Sequence, residues 1–593
     1  MMMTVNCDQL TEKLQKGIQL LAAYGLLEQS KAGVAVMATP APSTIVEKTE
    51  GEIRISYDTL PHFYMALCRA LCLQPGTYPI TPEVQQLGLM LDCSRNAMML
   101  PQRIQGLICL MALAGYTYLE LYMEDTYALP DEPYFGYKRG RYTVEEIKSI
   151  IAFAAVFGIA IVPCMQTLSH LPHLASWEPY KTKMQNPCTL RTDDETVYEL
   201  IRKCLRHCKS VFGTDRIHIG MDEAPIDKEQ YRKHFIRVFE ICREEGIQPD
   251  FWADAFYLEG QTDEIPETLF DGTQTPVYWE YYETDPQVYR RTLSRLQKAA
   301  GKVSFAGCLH KHMGIAPDNG LANKTMDIAF PVVKEFAVTD ILMTTWGDHG
   351  NECPFYAIMP SFWYAAQKLY PCPVDLDDMV CGFTGYTCAQ WQIADEINYI
   401  VRMDKKICNA SIWGLYNDLL IGMMDCHISD DADAHYRKLH SLLMPLQEKD
   451  SQFSYIFRLY AALCDVMSRK TTFSKRLRRA YLAEDRQTME AMKRELPELR
   501  KKIETFRCVF RDAWMRDNKG FGFEVMDIRF GGMAARCQTT AAVLEDYLDG
   551  KIQHIYELEE ERLPYWADGL EPEHTYAPWF FHWSKSFTEN DIL

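Results

Sequence analysis

Two acidic residues, Asp222 and Glu223, follow an apolar run in the segment RIHIGMDEAP (216–225). Like charges placed side by side in a partly buried site disfavour double ionisation, so one carboxylate stays charged while the pKa of the other rises. A raised pKa lets a carboxylic acid donate a proton near neutral pH. The pair therefore indicates acid–base chemistry, and the alternative interpretation is a pair of surface acids at the end of a strand.

Short apolar runs alternate with helical segments on both sides of this acidic pair. Eight such runs occur, at 87–93, 116–122, 158–164, 216–221, 250–254, 276–282, 302–307 and 339–346. Eight strand-like runs alternating with helices predict a (β/α)₈ TIM barrel. A doubly wound sheet would instead place a glycine-rich phosphate turn after an early strand, and the sequence contains neither GxGxxG nor a P-loop.

The chain of 593 residues exceeds the size of a single hydrophobic core, so several domains are expected. Residues 1–84 mix helical stretches with a short alternating strand, EGEIRISYD, and predict a small α/β domain. Residues 85–375 hold the predicted barrel, and residues 376–593 predict an α-helical domain with charge-dense helices. A segment with four glycines, NKGFGFEVMDIRFGG (518–532), predicts a turn region between two of these helices.

Charge and composition exclude several classes of protein. Lys+Arg 62 against Asp+Glu 81 gives a net charge of −19, whereas a nucleic-acid-binding protein normally presents a basic face. We expect no nucleic-acid partner and, because no stretch is long and apolar enough to span a bilayer, no membrane partner. The N-terminal sequence is not typical of a signal peptide, and the 20 cysteines lack the spacing of a disulfide framework. These features predict a cytoplasmic protein.

The C-terminal ends of barrel strands carry the catalytic groups of this fold. The predicted strands end in carboxylates, aromatic rings, one arginine and several histidines: Asp92, Arg95, Glu124, Asp125, His170, Asp222, Glu223, Trp252, Asp254, Trp279, Glu280, Tyr281, Tyr282, His310, His312, Trp346, Asp348 and Glu352. Aromatic rings stack on the flat apolar faces of sugars, and charged groups hydrogen-bond sugar hydroxyls. The set predicts a pocket for a neutral, hydroxyl-rich ligand, although aromatic rings at a barrel mouth can also simply cover the core.

The spacing of the acidic pair does not suit ordinary sugar hydrolysis. Most retaining glycosidases hold two carboxylates about 5–5.5 Å apart, on opposite sides of the bond that breaks. Adjacent residues of a strand point to opposite faces, so Asp222 and Glu223 do not easily straddle one bond. Glu223 could reach the leaving oxygen only if Asp222 turns towards another part of the same sugar, so the pair predicts a division of labour between its two acids.

The segment RIHIGMDEA resembles the His-x-Gly-x-Asp-Glu signature of glycoside hydrolase family 20, the β-N-acetylhexosaminidases, and is most similar to the intracellular, hexosaminidase D-like branch. Other segments similar to this family follow in order: LMLDCSRNAM (89–98), LYMEDTYALPDEPYFGYKRGRYT (121–143), VPCMQTLSHL (162–171), Trp346-Gly-Asp348 and DNKGFGFEVMDIRFGGM (517–533). The resemblance extends from about residue 50 to residue 535.

This resemblance implies a retaining exo-β-N-acetylhexosaminidase that removes terminal β-linked GlcNAc or GalNAc. The 2-acetamido carbonyl of the substrate would attack the anomeric carbon and form an oxazolinium intermediate. Glu223 would serve as general acid and then base, and Asp222 would orient and stabilise the acetamido group. The implied substrate-binding residues are Arg95, His170, Trp252, Trp279, Trp346, Asp348 and Glu352.

The predicted seventh strand departs from the family pattern. The family usually places a tyrosine for the acetamido oxygen nearby, whereas this chain has FAGCLHKHMG (305–314). Tyr282 is predicted to substitute, with Tyr278 and Tyr281 behind it. His310 and His312 share a strand face and could ligate a metal together with Cys308, but hydrogen bonding to the sugar edge or packing is favoured. We expect no cofactor and no metal.

Two other functions fit the sequence. A conventional retaining β-glycosidase would use Glu223 as the acid and Glu280 or Asp348 as the nucleophile. A catalytically silent sugar-binding or scaffolding protein would keep the barrel without hydrolysis. The partner expected for the hexosaminidase is an oligosaccharide or glycoconjugate with a terminal N-acetylhexosamine, and the helical domain offers a surface for a homodimer.

Overall fold

The computed structural model describes residues 4–257, 269–398, 410–563, 583–588 and 590. Its N-terminal part is a mixed sheet with two accompanying helices: β1 Thr4–Asn6, α1 Glu12–Ala23, β2 Glu28–Gln29, β3 Val34–Pro40, β4 Thr44–Lys48, β5 Glu52–Tyr57, α2 Leu60–Cys72 and β6 Gly76–Ile80. The strand order in this sheet is β2-β1-β3-β5-β4-β6. The predicted strand EGEIRISYD contains β5, which pairs in parallel with β3 and antiparallel with β4.

Eight parallel strands close into a barrel in which the last strand pairs with the first. The strands are β7 Gln86–Asp92, β8 Tyr118–Tyr122, β9 Ala160–Cys164, β10 Arg216–His218, β11 Gln248–Trp252, β12 Thr275–Trp279, β13 Ser304–Cys308 and β14 Asp340–Thr345. Each of the eight apolar runs overlaps one of these strands. The predicted (β/α)₈ barrel is therefore confirmed.

Helices connect most of the barrel strands, one helix follows the last strand, and the described residues after β11 form a short 3₁₀ helix, Asp254–Phe256. The α-helices are α3 Pro101–Ala114, α4 Val144–Phe157, α5 Pro172–Ala175, α6 Glu178–Lys181, α7 Glu195–Phe212, α8 Lys228–Glu244, α9 Pro286–Ala300, α10 Asn319–Glu335 and α11 Met359–Leu369. Local sequence fixes their ends. Thr143 and Glu146 form a capping box at the start of α4, and Gly158 ends this helix in a left-handed conformation just before β9.

The barrel interior is filled by side chains. Nine buried residues from seven of the strands form one cluster inside it: Met90, Tyr118, Tyr122, Val162, Cys164, Trp252, Val277, Ala306 and Leu342. Trp279 and Trp346 pack against this cluster from above. The large rings of Tyr122 and Trp252 thus give the barrel mouth a rigid floor.

The chain continues into a series of helices, here called the helical region: α12 Leu376–Thr384, α13 Cys388–Asp395, α14 Ala410–Tyr416, α15 Ala432–Leu443, α16 Ser454–Lys470, α17 Phe473–Leu482, α18 Arg486–Asp517, α19 Phe523–Leu548, α20 Tyr556–Glu559 and α21 Trp583–Phe587. Among the described residues, none of the helices combines the length and the apolar character that crossing a bilayer requires.

The glycine-rich segment 518–532 is only partly a turn. The turn between α18 and α19 ends at Gly522, and the remaining residues, including Gly531 and Gly532, lie within α19. Nothing lies within 4 Å of a Cβ built on either of these two glycines, so they face open space. The prediction of a turn over the whole segment was wrong because glycine costs only about 0.5–1 kcal/mol in a helix that tertiary packing stabilises.

Candidate active site

The acidic pair lies in a loop and not in a strand. β10 ends at His218, and Gly220 and Glu223 have left-handed backbone, with φ of 73° and 47°. Both carboxylates approach Nε2 of His170, Asp222 at 3.2 Å and Glu223 at 3.5 Å. The expectation that strand alternation separates the two side chains is therefore wrong, because the strand ends before it reaches them.

Gly220 makes room for a side chain that holds Asp222. A Cβ on Gly220 would lie 2.0 Å from Oε1 of Gln166. Nε2 of Gln166 donates to Oδ1 of Asp222 at 2.9 Å and to the hydroxyl of Tyr122 at 2.8 Å. Gln166 and Tyr122 were not predicted as site residues. The available signal was their position, Gln166 just after β9 and Tyr122 at the end of β8.

His170 keeps Asp222 ionised. Burial alone would raise the pKa of Asp222, but the charge and hydrogen bond of His170, together with Gln166, hold this pKa below its ordinary value. Burial likewise opposes the charged form of His170, and the Asp222 carboxylate overrides it and raises the pKa of His170 to about 9. At neutral pH the two residues form a carboxylate–imidazolium pair.

Glu223 is the exposed member of the acidic pair, with 56% of its side chain accessible. Partial burial in the cleft and the charge of Asp222 raise the pKa of Glu223. Its backbone N–H donates to Oδ2 of Asp254 at 2.9 Å. Burial and the Asp222 charge also raise the pKa of Asp254, to about 8. Of the two adjacent acids, Asp222 thus stays ionised and Glu223 can carry a proton, which agrees with the division that the sequence predicts.

Arg95 lies among three carboxylates at the ends of β7, β8 and β14. One terminal nitrogen is 3.1 Å from Asp348, Nε is 3.6 Å from Asp92, and the other terminal nitrogen is 3.9 Å from Glu124. Arg139, which was not predicted, donates to the carbonyl of Arg95 at 3.1 Å. It comes from the acidic loop 121–143 and also ion-pairs with Asp125 there.

Three tryptophans and two tyrosines meet beside the acidic pair. The rings of Trp252 and Trp346 are 5.8 Å apart, and Tyr122 meets Trp346 edge-on at 4.8 Å. Nε1 of Trp346 donates to the hydroxyl of Tyr281 at 3.0 Å, and Tyr281 stacks on Trp279 at 5.2 Å. The predicted tryptophans Trp252, Trp279 and Trp346 thus form one aromatic wall.

Tyr282, which was predicted to hold the acetamido oxygen, faces the end of β13. Its hydroxyl lies 2.8 Å from Nε2 of His312, and its ring lies 5.4 Å from that of His310. Tyr278 packs instead against Tyr257, Tyr289 and Phe305. Of the three candidate tyrosines, Tyr281 is the one that the structure joins to the aromatic wall, and the charge of Asp222 acts on it.

The two carboxylates predicted to bind distal hydroxyls have different partners. Asp348 contacts Arg95. Glu352 is 6% exposed and lies 2.8 Å from a terminal nitrogen of Arg529, and it also accepts a hydrogen bond from Tyr416. The structure therefore brings Asp348 to the strand-end cluster and ties Glu352 to α14 and α19.

Unusual backbone conformations concentrate in the loops that follow barrel strands. The residues other than glycine with left-handed φ in these loops include Glu124, His170, Met221, Glu223, His310 and Asn351. Such conformations cost about 1–3 kcal/mol each and persist where the surrounding structure imposes them, typically at functional sites. They mark this end of the barrel as the candidate active site.

Two family models match the chain. The model for the glycosyl hydrolase family 20 catalytic domain matches residues 87–287, and that for the glycoside hydrolase 20C C-terminal domain matches residues 390–576. "Beta-hexosaminidase subunit beta" of Entamoeba histolytica is 23% identical over 224 residues, which are 34% of this chain and 38% of that protein. "Probable beta-hexosaminidase" of Arthroderma benhamiae is 27% identical over 250 residues, 37% of this chain and 39% of that protein. The chain spans less than two fifths of the length of these curated relatives.

A solved structure shares the fold. A mutant beta-hexosaminidase of Streptomyces plicatus, in complex with its product GlcNAc, has a TM-score of 0.52 and 16% identity, and the match covers 68% of this chain and 92% of that one. The two family models describe parts of one family, and they match the barrel from β7 to β12 and most of the helical region. The chain therefore belongs to glycoside hydrolase family 20.

Proposed function

We propose that this protein is a retaining exo-β-N-acetylhexosaminidase that hydrolyses terminal β-linked N-acetylhexosamine by substrate-assisted catalysis. The observation that carries the proposal is the placement of Asp222 and Glu223 around one imidazole, with pKa values shifted in opposite directions. An ionised carboxylate stabilises positive charge that develops beside it, and a protonated one can donate to a leaving group. The two acids therefore suit two different tasks on one sugar.

The first step breaks the glycosidic bond. The carbonyl oxygen of the 2-acetamido group attacks C1, the bond from C1 to the leaving oxygen breaks, and Glu223 transfers its proton to that oxygen. Asp222 accepts a hydrogen bond from the acetamido N–H and stabilises the positive charge that spreads over this group. Since His170 is cationic and contacts Asp222, it helps to keep Asp222 deprotonated throughout.

The second step returns the enzyme to its starting state. A water molecule attacks C1 of the oxazolinium ion from the side that the leaving group vacated, and Glu223 accepts a proton from this water. The C1–oxygen bond of the oxazolinium ring breaks and the acetamido group is restored. Two inversions at C1 give net retention.

A conventional retaining mechanism would use Glu280 or Asp348 as the nucleophile, and both carboxylates have other partners in the structure. Oε1 of Glu280 accepts hydrogen bonds from three consecutive backbone N–H groups, of residues 281–283, at 2.9, 3.0 and 3.1 Å. Asp348 pairs with Arg95 at 3.1 Å. Either carboxylate would have to give up these contacts to attack C1, which supports a mechanism in which the substrate supplies the nucleophile.

The side chains of the same cleft suit the binding of a sugar that carries an acetamido group. We propose that Trp252, Trp279 and Trp346 enclose the sugar and its acetamido methyl, that the Tyr281 hydroxyl binds the acetamido oxygen, and that Arg95 and Asp348 bind hydroxyls. This assignment places Tyr281 in the role that was predicted for Tyr282. The proposal covers both GlcNAc and GalNAc.

Replacing each acid tests the proposal. With an aryl β-N-acetylglucosaminide, Glu223→Gln is expected to lower kcat about 10²–10⁴-fold, because a general acid contributes that much. Asp222→Asn is expected to lower it about 10²–10³-fold, the loss typical of an electrostatic stabiliser. The control is Asp193→Asn, an exposed acid with 71% of its side chain accessible, which should keep wild-type activity.

Three results would contradict the proposal. Full activity of Asp222→Asn would exclude substrate assistance. Comparable turnover of the aryl glucoside and the aryl N-acetylglucosaminide would favour the conventional mechanism. Binding of N-acetylglucosamine without hydrolysis of any N-acetylhexosaminide would identify a sugar-binding protein.

A further inference from the structure

We infer that the end of β13 is a binding site for a borderline-soft divalent cation such as Zn²⁺, held by Cys308, His310 and His312. One ligand atom of each residue lies within 4.8 Å of the other two. A thiolate with two imidazoles selects zinc-like ions, whereas Mg²⁺ and Ca²⁺ prefer oxygen ligands. This inference goes beyond the proposed hydrolysis and replaces the expectation, drawn from the sequence, that the two histidines pack or bind the sugar edge.

The orientation of His312 suits a metal ligand. Its Nε2 lies 2.8 Å from the hydroxyl of Tyr282, and its Nδ1 lies 3.8 Å from Sγ of Cys308. Histidines that bind metals usually hydrogen-bond through the other ring nitrogen, which fixes the ring and the tautomer. A tetrahedral zinc ion holds a sulfur and a nitrogen ligand about 3.6 Å apart. The Cys308 and His312 atoms are therefore already close to the spacing that such an ion requires.

His310 points to a ligand independently of that spacing. It is fully buried, and neither ring nitrogen has a hydrogen bond of normal geometry among the described residues. The backbone carbonyl of Tyr281 lies beside the ring, but its geometry is not that of a normal hydrogen bond. His310 also has left-handed backbone, with φ of 45°. A buried imidazole without regular hydrogen bonds, held on strained backbone, is accounted for by coordination to a cation.

Cys308 can supply the thiolate. Its Sγ accepts a hydrogen bond from the backbone N–H of His310 at 3.2 Å, which stabilises negative charge on the sulfur. Binding exchanges the thiol proton for the metal–sulfur bond and releases that proton to solvent. Lys311, next to both histidines in the chain, donates to Oδ1 of Asn351. Three protein ligands leave one position of a tetrahedral ion for water.

A second group of three possible ligands serves as an internal control. Glu120, Cys164 and His218 also have ligand atoms within 4.8 Å of one another. All three are buried in the barrel interior, below the acidic pair. Cys164→Ser is therefore a matched cysteine variant, since it removes a buried thiol of the barrel without touching the site at β13.

Cobalt binding tests the inference independently of hydrolysis. The full chain, reduced and freed of metal with a chelator, is titrated with Co²⁺ and then with Zn²⁺. We expect one equivalent of Co²⁺ with the visible bands of a tetrahedral ion and a thiolate-to-cobalt charge-transfer band, displaced by Zn²⁺. Cys308→Ser should abolish the charge-transfer band, His312→Gln should weaken binding at least tenfold, and Cys164→Ser should bind as the wild type does.

Two outcomes would overturn the inference. One is the lack of stoichiometric Co²⁺ binding by the wild-type chain, and the other is a charge-transfer band that survives Cys308→Ser. Thermal unfolding of each metal-free variant shows whether it folds. If Cys308→Ser does not fold, His312→Gln at the edge of the cluster decides: Zn²⁺ should raise the unfolding midpoint of the wild type but not that of His312→Gln, and an equal rise in both would contradict the site.

Discussion

The two neighbouring carboxylates at the barrel mouth have different partners. Asp222 is buried between Gln166 and the cationic His170, whereas Glu223 is half-exposed and has its backbone fixed by Asp254. The same kind of side chain therefore stays ionised in one position and binds a proton in the next. The protonation state of each carboxylate therefore depends on the groups that it contacts.

The Asp222–His170 contact should make stability depend on pH. The pKa of His170 is raised from 6.5 to about 9 in the folded protein, so the contact stabilises the fold fully below about pH 6.5 and this contribution is lost as the pH rises through about 9. A shift of this size corresponds to at most about 3 kcal/mol. The free energy of unfolding of wild type minus that of His170→Gln should therefore be largest near pH 6 and shrink towards pH 10.

His173→Gln provides the control for this measurement. Partial burial in the mouth and the charge of Arg139 lower the pKa of His173 to about 4, so this residue is neutral from pH 6 to pH 10. Its replacement should change the free energy of unfolding by the same amount across that range. A difference between wild type and His170→Gln that stays constant with pH would show that the carboxylate–imidazolium pair is absent.

The loop after β10 holds the two acids of the proposed catalytic pair. Gly220 adopts left-handed backbone, and the space of its absent side chain is occupied by Gln166, the residue that holds Asp222. Any side chain at position 220 must displace the Gln166 carboxamide. The glycine in this position is therefore required by backbone conformation and by close approach together.

Gly220→Ala separates these two requirements when it is compared with Gly213→Ala. Both glycines are left-handed, with φ of 73° and 65°, but a Cβ on Gly213 meets nothing within 4 Å. Each alanine should cost about 1–2 kcal/mol of stability through backbone strain. Only Gly220→Ala should also lower kcat, at least tenfold, by displacing Gln166 and thus Asp222. Equal activity of the two variants in an aryl N-acetylglucosaminide assay would contradict this role of Gln166.

Local sequence predicts the elements better than it predicts the contacts between their ends. The eight barrel strands are evident from apolar runs, because each strand of a parallel barrel is buried on both faces. The direction of a side chain in a loop depends on distant partners. Tyr281 and not Tyr282 joins the aromatic wall, because backbone bonds to Glu280 fix the turn that follows β12. Glu352 pairs with Arg529, a residue 177 positions away in the chain.

At the scale of the whole molecule, the helical region braces the loop that carries Arg95. The backbone N–H of Lys519 donates to the carbonyl of Met98 at 2.7 Å, and that of Leu100 donates to the carbonyl of Asp517 at 2.9 Å. The turn between α18 and α19 thus pairs with the segment that runs from Arg95 into α3. The helical region is part of the scaffold that positions the candidate active site.

Asp517→Asn tests this brace. Asp517 is 4% exposed, and its carboxylate contacts Nε of Arg103 at 2.8 Å and the hydroxyl of Tyr455 at 2.5 Å. Removing its charge leaves the Arg103 guanidinium without its carboxylate counter-ion at the interface, and breaking a buried ion pair costs about 3–5 kcal/mol. We expect a large drop in the denaturant midpoint and, because the Arg95 loop loosens, a higher KM.

The matched exposed pair is Asp527 with Arg507, which are 2.8 Å apart, with 48% of the Asp527 side chain accessible. Asp527→Asn should cost less than about 1 kcal/mol, as is usual for surface ion pairs. An equal effect of the two substitutions on the denaturant midpoint would show that the contact at Asp517 does not hold the helical region to the barrel.

The central claim is that the substrate supplies the nucleophile, and a series of fluorinated substrates tests it directly. Each fluorine added to the acetamido methyl of an aryl β-N-acetylglucosaminide withdraws electrons and weakens the attacking carbonyl oxygen. The value of kcat/KM should therefore fall steeply and regularly from the acetyl to the monofluoro-, difluoro- and trifluoroacetyl substrate. A kcat/KM that stays constant across the four substrates would contradict substrate assistance and point to a carboxylate of the protein as the nucleophile.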